Sequence, residues 1–418
     1  MPACQVAIRN RTALLAALGI DNFGSGLFLP LSLVYVTRVV GLPLGTAGAL
    51  VSVGTLAGLA APALAGRLVD RVGPKPVVIA AQGLQALGAA AYLFAHAAPA
   101  VLVAAMLLAI GQQTFYSSLF SLISDVAGSG PRERPFAIAN MVRSACFGLG
   151  GLVVAGVLTA AGTVAIRLAV AADAVSFVAC GLLLAAFVRL PRAQASQHRA
   201  AGLGGRQSVL TDMPFLVLIM ATFLAMTASD FFLVGAPVYL LELLHTRPWL
   251  PGAILAVETA LTSTAGIAVL RLTRNWPRLG AMQLGAALYA IWCAAGLAAV
   301  VVPVGWWRTT ELLLATVILA AATLVFGPRA NAIAEAAAPT SIRGRYLAAF
   351  QYAFTVAGVA APGIVALFSV AIWLPWVLVA GSAGLAVVGL RTLATRLPAT
   401  ALRADSAHED DASIRSAA

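Results

Sequence analysis

Long apolar segments, each about as long as a membrane-spanning helix, follow one another through most of the chain. An α-helix needs about 20 predominantly apolar residues to cross the hydrocarbon core of a bilayer. Segments of this size are separated mostly by short loops, and their predicted bounds are 13–37, 44–65, 77–97, 100–124, 137–160, 168–188, 215–241, 250–270, 280–302, 310–334, 346–368 and 373–393. We therefore predict an all-α membrane protein with twelve transmembrane helices.

The composition excludes a soluble protein, because 61% of the residues are apolar and only 10% are charged. The net charge of +11 does not indicate a nucleic-acid partner, since the basic residues lie in short loops rather than on a polar domain. The few histidines and cysteines are scattered and predict no metal site. The chain also lacks a nucleotide-binding loop and a nucleophile elbow. We expect no cofactor and no enzymatic activity, so energy must come from a gradient.

The longest internal polar segment divides the chain into two halves. The predicted parts are an N-terminal six-helix half (1–188), a cytoplasmic linker (189–212), a C-terminal six-helix half (213–396) and a cytoplasmic tail (397–418). The two halves show a weak internal repeat. The residues Asp, Pro and Tyr occur in the same order in the first segment, at Asp21, Pro30 and Tyr35, and in the seventh, at Asp230, Pro237 and Tyr239. Pseudo-symmetric halves predict a binding cavity between them near mid-membrane, opened to alternate sides by rocking.

The loop charges predict that both termini are cytoplasmic. In this orientation about 20 Lys and Arg residues lie inside, as the positive-inside rule demands. The few that lie outside are Arg38, Arg167, Arg247 and Arg308. We expect a monomeric multi-pass protein of the inner (plasma) membrane, whose partners are the lipid bilayer, protons and a small-molecule substrate.

The stretch from Gly66 to Pro76 joins the second and third apolar segments and combines glycines, prolines, cations and one carboxylate. Gly66 and Gly73 permit a sharp turn, and Pro74 and Pro76 would prevent it from continuing as helix. The stretch resembles the signature loop G-x-L-x-D-R-x-G-x-K of the major facilitator superfamily, with matches at Gly66, Leu68, Asp70, Arg71, Gly73 and Lys75. The resemblance implies a conformational role for this loop, in which Asp70 contacts the start of the eleventh helix near Arg345.

Across essentially the whole chain the arrangement is similar to that of bacterial drug:proton antiporters of this superfamily. Shared motifs are Ile-Ser-Asp at Ile123–Asp125 and Arg-Gly-Arg-Tyr at Arg343–Tyr346. One element departs from the pattern, because the fifth segment has Gly148, Gly150 and Gly151 but lacks the proline of the antiporter motif. The resemblance implies a secondary active transporter that couples proton entry to efflux of small lipophilic or cationic compounds. A proton symporter or metabolite exporter of the same fold, or a non-transporting receptor or scaffold, are the alternatives.

Ionisable groups within apolar segments are candidates for proton coupling or substrate binding, because a membrane tolerates them only when they are paired or hydrated. Asp21 and Arg143 are predicted about 12 Å and about 9 Å from the inner ends of their helices. They would form an ion pair, or Asp21 would face the cavity alone and carry protons. Asp230 and Glu258 are also predicted at similar depth, where they would repel each other or face different ways. For Asp173 we expect a helix-packing hydrogen bond.

Further cavity candidates are one polar neighbour of Asp21 and several aromatic side chains that would suit a lipophilic or cationic substrate. They are Asn22, Tyr35, Phe115, Tyr116, Phe231 and Phe232. The alternative is that the aromatic residues only pack, as they usually do in membrane helices.

The predicted topology can be tested at Gln197 in the linker. In a cysteine-free background, a cysteine at this position should not react with a membrane-impermeant reagent added outside, because the arginine-rich linker stays in the cytoplasm. Labelling before and after permeabilisation measures this, and labelling of intact cells would contradict the topology.

Overall fold

The computed structural model describes residues 3–127, 133–188, 209–273, 276–339, 343–394 and 396. All regular secondary structure in these residues is helical. The α-helices are α1 Ala3–Phe28, α2 Ser32–Arg38, α3 Leu44–Leu56, α4 Ala61–Val72, α5 Pro74–Leu93, α6 Ala98–Ala127, α7 Glu133–Phe187, α8 Met213–Val238, α9 Leu250–Thr264, α10 Gly266–Leu272, α11 Arg278–Ala298, α12 Trp306–Ala337, α13 Arg343–Ala366 and α14 Leu374–Leu393. Most of the predicted linker 189–212, and the tail 397–418, lie outside the described residues.

Ten helical stretches in the described part of the chain are long and apolar enough to cross a membrane. They correspond to every predicted segment except the fifth and the eighth. The fifth lies in α7, where Gly162 has non-helical backbone angles (φ 54°, ψ −127°) and the apolar stretch before it, Met141–Val154, is shorter. The eighth is divided between α9 and α10 at Ala265. The prediction of a multi-pass helical membrane protein is therefore confirmed.

The turn predicted for Gly66–Pro76 is shorter than expected. Helix α4 continues through Gly66, and only Gly73 has a positive φ (85°), a conformation that glycine adopts without strain. Pro74 begins α5 instead of ending a helix, because the first helical position needs no backbone N–H donor. Pro76 likewise lies in the first turn of α5, so the sequence prediction for Gly66, Pro74 and Pro76 was wrong in this respect.

The structure describes the side chains of two charged residues of the signature loop, Lys75 and Arg71. Lys75 Nζ donates hydrogen bonds to the carbonyl oxygens of Val188, at 2.6 Å, and Ala185, at 3.0 Å. A cation at these last carbonyls of α7 suits the negative end of the helix dipole. Arg71 is exposed in the last turn of α4. The side chain of Asp70, and with it the predicted contact near Arg345, lies outside what the structure describes.

The chain forms two compact units. The first comprises Met1–Leu203, Asp230–Ser263 and Gly358–Pro375, and the second comprises Gly204–Ser229, Thr264–Ala357 and Trp376–Ala418. The first unit thus contains the predicted N-terminal half together with two pieces of the C-terminal half. By the predicted topology, those two pieces are the outer parts of the seventh, eighth and eleventh segments.

Helices α1 and α7 approach each other closely in the first unit because glycines face the opposing backbone. A Cβ atom on Gly26 would lie 2.1 Å from the carbonyl oxygen of Phe147, and one on Gly150 would lie 2.3 Å from that of Phe23. Small residues at such crossings let membrane helices gain van der Waals contact. This close packing holds the polar side chains of α1 and α7 next to each other.

The Gly150→Ala variant should be less stable than the wild-type protein, because its methyl group would clash with the backbone at Phe23. Overpacking of this kind costs roughly 1–3 kcal/mol. Thermal unfolding in detergent measures the effect. Gly83→Ala is the control, since a Cβ atom there would have no atom within 4 Å. Equal melting temperatures for the two variants would contradict the packing account.

Candidate functional site

A buried polar cluster lies where α1, α5 and α7 pack together in the first unit. Its centre is the carboxylate of Asp21, which is 6% exposed. Gln82 Nε2 of α5 donates to Asp21 Oδ1 at 2.7 Å, and Asn22 Nδ2 donates to Oδ2 at 3.1 Å. Each carboxylate oxygen therefore has an N–H donor, which offsets the loss of its hydration.

Arg143 of α7 makes no ion pair with Asp21, although the structure describes both side chains. Its guanidinium carbon lies 4.8 Å from the centroid of the Tyr116 ring, in a cation–π geometry. Its Nε is buried without a hydrogen-bond partner. Arg143 nevertheless acts electrostatically on Asp21. In this structure, Asp21 is held by amide donors rather than by a direct ion pair.

A second carboxyl group, that of Asp173 on α7, lies beside the same cluster and is 3% exposed. Its Oδ1 is buried and has no hydrogen-bond partner. A Cβ atom on Gly24 of α1 would lie 3.0 Å from this oxygen and would clash with Ser176. Asp173 therefore faces the α1 backbone one turn from Asp21. The carboxyl group has hydrogen-bonding neighbours in Ser176 and, on α1, Ser25, so only its Oδ1 is left without a partner.

The other two candidate acids, Asp230 on α8 and Glu258 on α9, are each half-buried. No hydrogen bond joins these two described residues. Glu258 lies next to Thr259, whose Cγ2 would be 2.7 Å from a Cβ atom on Gly148 of α7. Helix α9 therefore packs against α7 at this level. Repulsion between Asp230 and Glu258 stays a prediction.

Four of the predicted cavity residues belong to the packed interior of the first unit. Asn22 is buried and also donates to the carbonyl oxygen of Leu18 at 2.9 Å. The Tyr35 hydroxyl, on a side chain 1% exposed, donates to the Tyr92 carbonyl oxygen at 2.8 Å. Phe115 lies in a buried hydrophobic cluster, and Tyr116 packs against the same hydrophobic cluster. The guanidinium of Arg143 lies over the Tyr116 ring.

The remaining two aromatic candidates lie on α8. The Phe231 ring is buried, and its centroid lies 5.8 Å from that of Phe368. Phe232 lines an apolar cavity of about 20 Å³ with three prolines, Pro30, Pro237 and Pro251, among its other walls. A cavity of this volume has room for about one water molecule. It is therefore too small for a substrate in this conformation.

Segments from the two predicted halves contact each other within the first unit at their predicted outer ends. Arg38 Nε pairs with Glu242 Oε1 at 2.5 Å, and Arg38 Nη2 donates to the Leu241 carbonyl oxygen at 3.1 Å. The Ser52 hydroxyl donates to the Val359 carbonyl oxygen at 2.8 Å. These bonds join α2 to the π-helical turn Tyr239–Leu243 that follows α8, and α3 to α13. We call them the outer contacts.

The second unit contains a buried cation of its own. Arg329 on α12 is 7% exposed and donates to the carbonyl oxygen and the hydroxyl of Thr273, the residue that follows α10. It also donates to the Val325 carbonyl oxygen at 3.3 Å. A guanidinium at the last carbonyls of a helix stabilises the helix end. Arg329 thus has a structural role in joining α10 to α12.

Gln82 is the member of the cluster that the sequence interpretation missed. The sequence signal was available, because Gln82 and Gln85 are polar residues three apart in an apolar segment and so lie on one helix face. Both are buried, at 0% and 4% exposure. Within the described residues, no three His, Cys, Asp or Glu side chains come together as metal ligands would.

Comparison with known proteins identifies the family of this architecture. The family model described as Major Facilitator Superfamily matches residues 14–308. The chain is also 27% identical over 347 residues to uncharacterized MFS-type transporters of two Mycobacterium tuberculosis strains, H37Rv and CDC 1551. The match covers 81% of this chain and 80% of each relative.

Solved structures share the fold at low sequence identity. A mutant of the nucleoside transporter NupG has a TM-score of 0.75 at 12% identity, with 92% of this chain and 99% of that chain covered. The xylose transporter XylE from E. coli, in an inward open conformation, has a TM-score of 0.72 at 15% identity, with 93% and 96% covered. At these identities the likeness shows the fold alone.

The outer contacts can be tested by disulfide formation between Gly45 and Ser369. A Cβ atom on Gly45 would lie 3.6 Å from Ser369 Cβ, within the range of roughly 3.5–4.5 Å that a disulfide needs. With the native cysteines removed and a protease site placed in the linker, the Gly45→Cys/Ser369→Cys variant should remain one band after cleavage on a non-reducing gel. Gly41→Cys/Ser369→Cys is the control, because a Cβ atom on Gly41 would have no atom within 4 Å. Equal cross-linking of both pairs would contradict the geometry.

Proposed function

Because the chain belongs to the Major Facilitator Superfamily, we propose that it is a secondary active transporter that exports small lipophilic or cationic compounds in exchange for protons. The observation that carries the proposal is the buried carboxylate of Asp21, bound by Gln82 and Asn22 inside an apolar helix. An ionisable group at such a place is costly and is typical of a substrate or proton pathway.

Asp21 is the acid best suited to titrate during transport. Its two amide donors stabilise the carboxylate, while its burial among apolar helices favours the protonated form. These opposing influences let a modest change in surroundings, such as entry of water or substrate, move the proton on or off.

The preference for cations follows from the balance of charge in the first unit. Within its predicted membrane segments, carboxyl groups outnumber the single described cation, Arg143. The acids are Asp21, Asp173, Asp230 and Glu258. A cavity near an excess of acids attracts positively charged compounds and protons, and it repels anions. Competition between a cation and protons for the same carboxylates is a simple basis for exchange.

Alternating access is the proposed means of transport, with twelve helices in two six-helix halves. The outer contacts support it, because hydrogen bonds and a partly exposed ion pair of this kind are weak enough to break and re-form during a transport cycle. Arg38 would then part from Glu242, and Ser52 from Val359, whenever the outer side opens. The cavity beside Phe232, at about 20 Å³, has room for only about one water molecule in the state described here.

The Asp21→Asn variant should lose proton-driven transport while still binding substrate, because asparagine keeps the size of the side chain but cannot titrate. Ethidium, a lipophilic cation, is the probe. Its accumulation in inverted vesicles with an acid interior measures transport, and its fluorescence anisotropy with purified protein measures binding. Asp21→Glu is the matched control, since it retains a titratable group and should retain part of the coupling.

Three outcomes would change this account. Asp21→Asn transport with its full dependence on the proton gradient would remove Asp21 from the mechanism. Loss of ethidium binding would make Asp21 a substrate counter-ion instead. If the wild-type protein accumulates ethidium in inverted vesicles only when the external medium, and not the vesicle interior, is acidic, the protein is a symporter rather than an exchanger.

A further inference from the structure

The two buried acids of the cluster have different hydrogen-bond environments. Both oxygens of Asp21 accept an N–H bond, from Gln82 and Asn22. By contrast, Asp173 Oδ1 is buried and has no partner, although the carboxyl group is only 3% exposed. A charged carboxylate with an unsatisfied buried oxygen is strongly unfavourable, whereas the protonated acid is neutral and brings a donor of its own.

The surroundings of Asp173 offer partners for an acidic O–H group. The hydroxyls of Ser25 and Ser176 are hydrogen-bonding neighbours of its carboxyl group, and a hydroxyl can accept a hydrogen bond as well as donate one. Gln82, the amide that binds Asp21, also has a buried Oε1 without a donor. Ser25 lies four residues after Asp21, so both side chains are on the same face of α1. Ser25 therefore neighbours Asp173 of α7 and lies one helical turn from Asp21 on α1.

Two acids with environments this different take on different protonation states. The geometry points to Asp173 as a second proton-holding residue, which keeps its proton while Asp21 is ionised and passes it to Asp21 during the transport cycle. In that transfer one O–H bond breaks at Asp173 and one forms at Asp21, so the pair keeps a single negative charge. The role in transport rests on the proton coupling proposed above, but the protonation of Asp173 does not.

The other groups near the cluster are consistent with a single negative charge on the pair Asp21 and Asp173. Among the described residues, the titratable side chains around it are Asp21 on α1, Tyr116 on α6, and Arg143 and Cys180 on α7. Helix α5 presents the neutral amide of Gln82. Arg143 is the one cation among these groups, and it lies over the Tyr116 ring.

Infrared spectroscopy of the protein in lipid nanodiscs tests the protonation directly. A protonated carboxyl group has a C=O stretching band that the carboxylate lacks. The wild-type protein at neutral pH should show such a band, and Asp173→Asn should lose it. Asp21→Asn should retain it, because this variant leaves Asp173 in place. If Asp173→Asn does not fold, Asp173→Glu should shift the band, because this variant keeps the carboxyl group but changes its position and hydrogen bonds. A band that is unchanged in Asp173→Asn, or in Asp173→Glu where Asp173→Asn does not fold, would overturn the inference.

Transport measurements then separate a proton carrier from a packing residue. Asp173→Asn closely matches the protonated acid in shape, so a packing role predicts wild-type accumulation of ethidium in acid-loaded inverted vesicles. A carrier role predicts loss of that accumulation while exchange of ethidium without a gradient continues. An infrared band lost without any change in coupling would overturn the carrier role. If the wild-type protein moves ethidium without regard to the proton gradient, the proposed function fails, and the infrared result still decides whether Asp173 holds a proton.

Discussion

A carboxylate inside a membrane must obtain from the protein the hydrogen-bond donors that water would otherwise supply. This requirement determines how the helices of the first unit pack around Asp21. Asp21 meets it with N–H donors from Asn22, its neighbour on α1, and from Gln82 on α5. Because these bonds are short-range, α1 and α5 must stay in register for Asp21 to remain satisfied. The polar cluster therefore fixes the packing of α1, α5 and α7, and the same cluster supplies the groups that can exchange protons.

Close helix packing makes this arrangement possible. Glycines at 24, 26 and 150 bring α1 and α7 so near that a side chain at any of them would meet the opposing helix. The absence of a proline in this part of α7 does not prevent the contact. Small residues, rather than one signature proline, bring Asp173 up to the α1 backbone and Asp21 into reach of α5.

Apolar segment length predicted most of the fold, because a chain in lipid must satisfy its backbone hydrogen bonds within each helix. The details that escaped prediction depend on local backbone geometry. The extension of α4 through Gly66 could not be read from its glycines, since glycine permits a turn without requiring one. The acids of the site were visible as charges in apolar segments, but their partners were not. Gln82 binds Asp21, and Arg143 lies over Tyr116 rather than pairing with Asp21. Both contacts depend on how each helix is rotated about its axis, which the pattern of apolar residues does not determine.

The proposed alternating access depends on the outer contacts, since in that mechanism substrate reaches the outside only when the predicted halves separate there. The most direct measurement is ethidium accumulation by the Gly45→Cys/Ser369→Cys variant in acid-loaded inverted vesicles, before oxidation, after oxidation and after reduction. Alternating access predicts that oxidation stops accumulation and that reduction restores it. Undiminished accumulation by fully cross-linked protein would contradict the account.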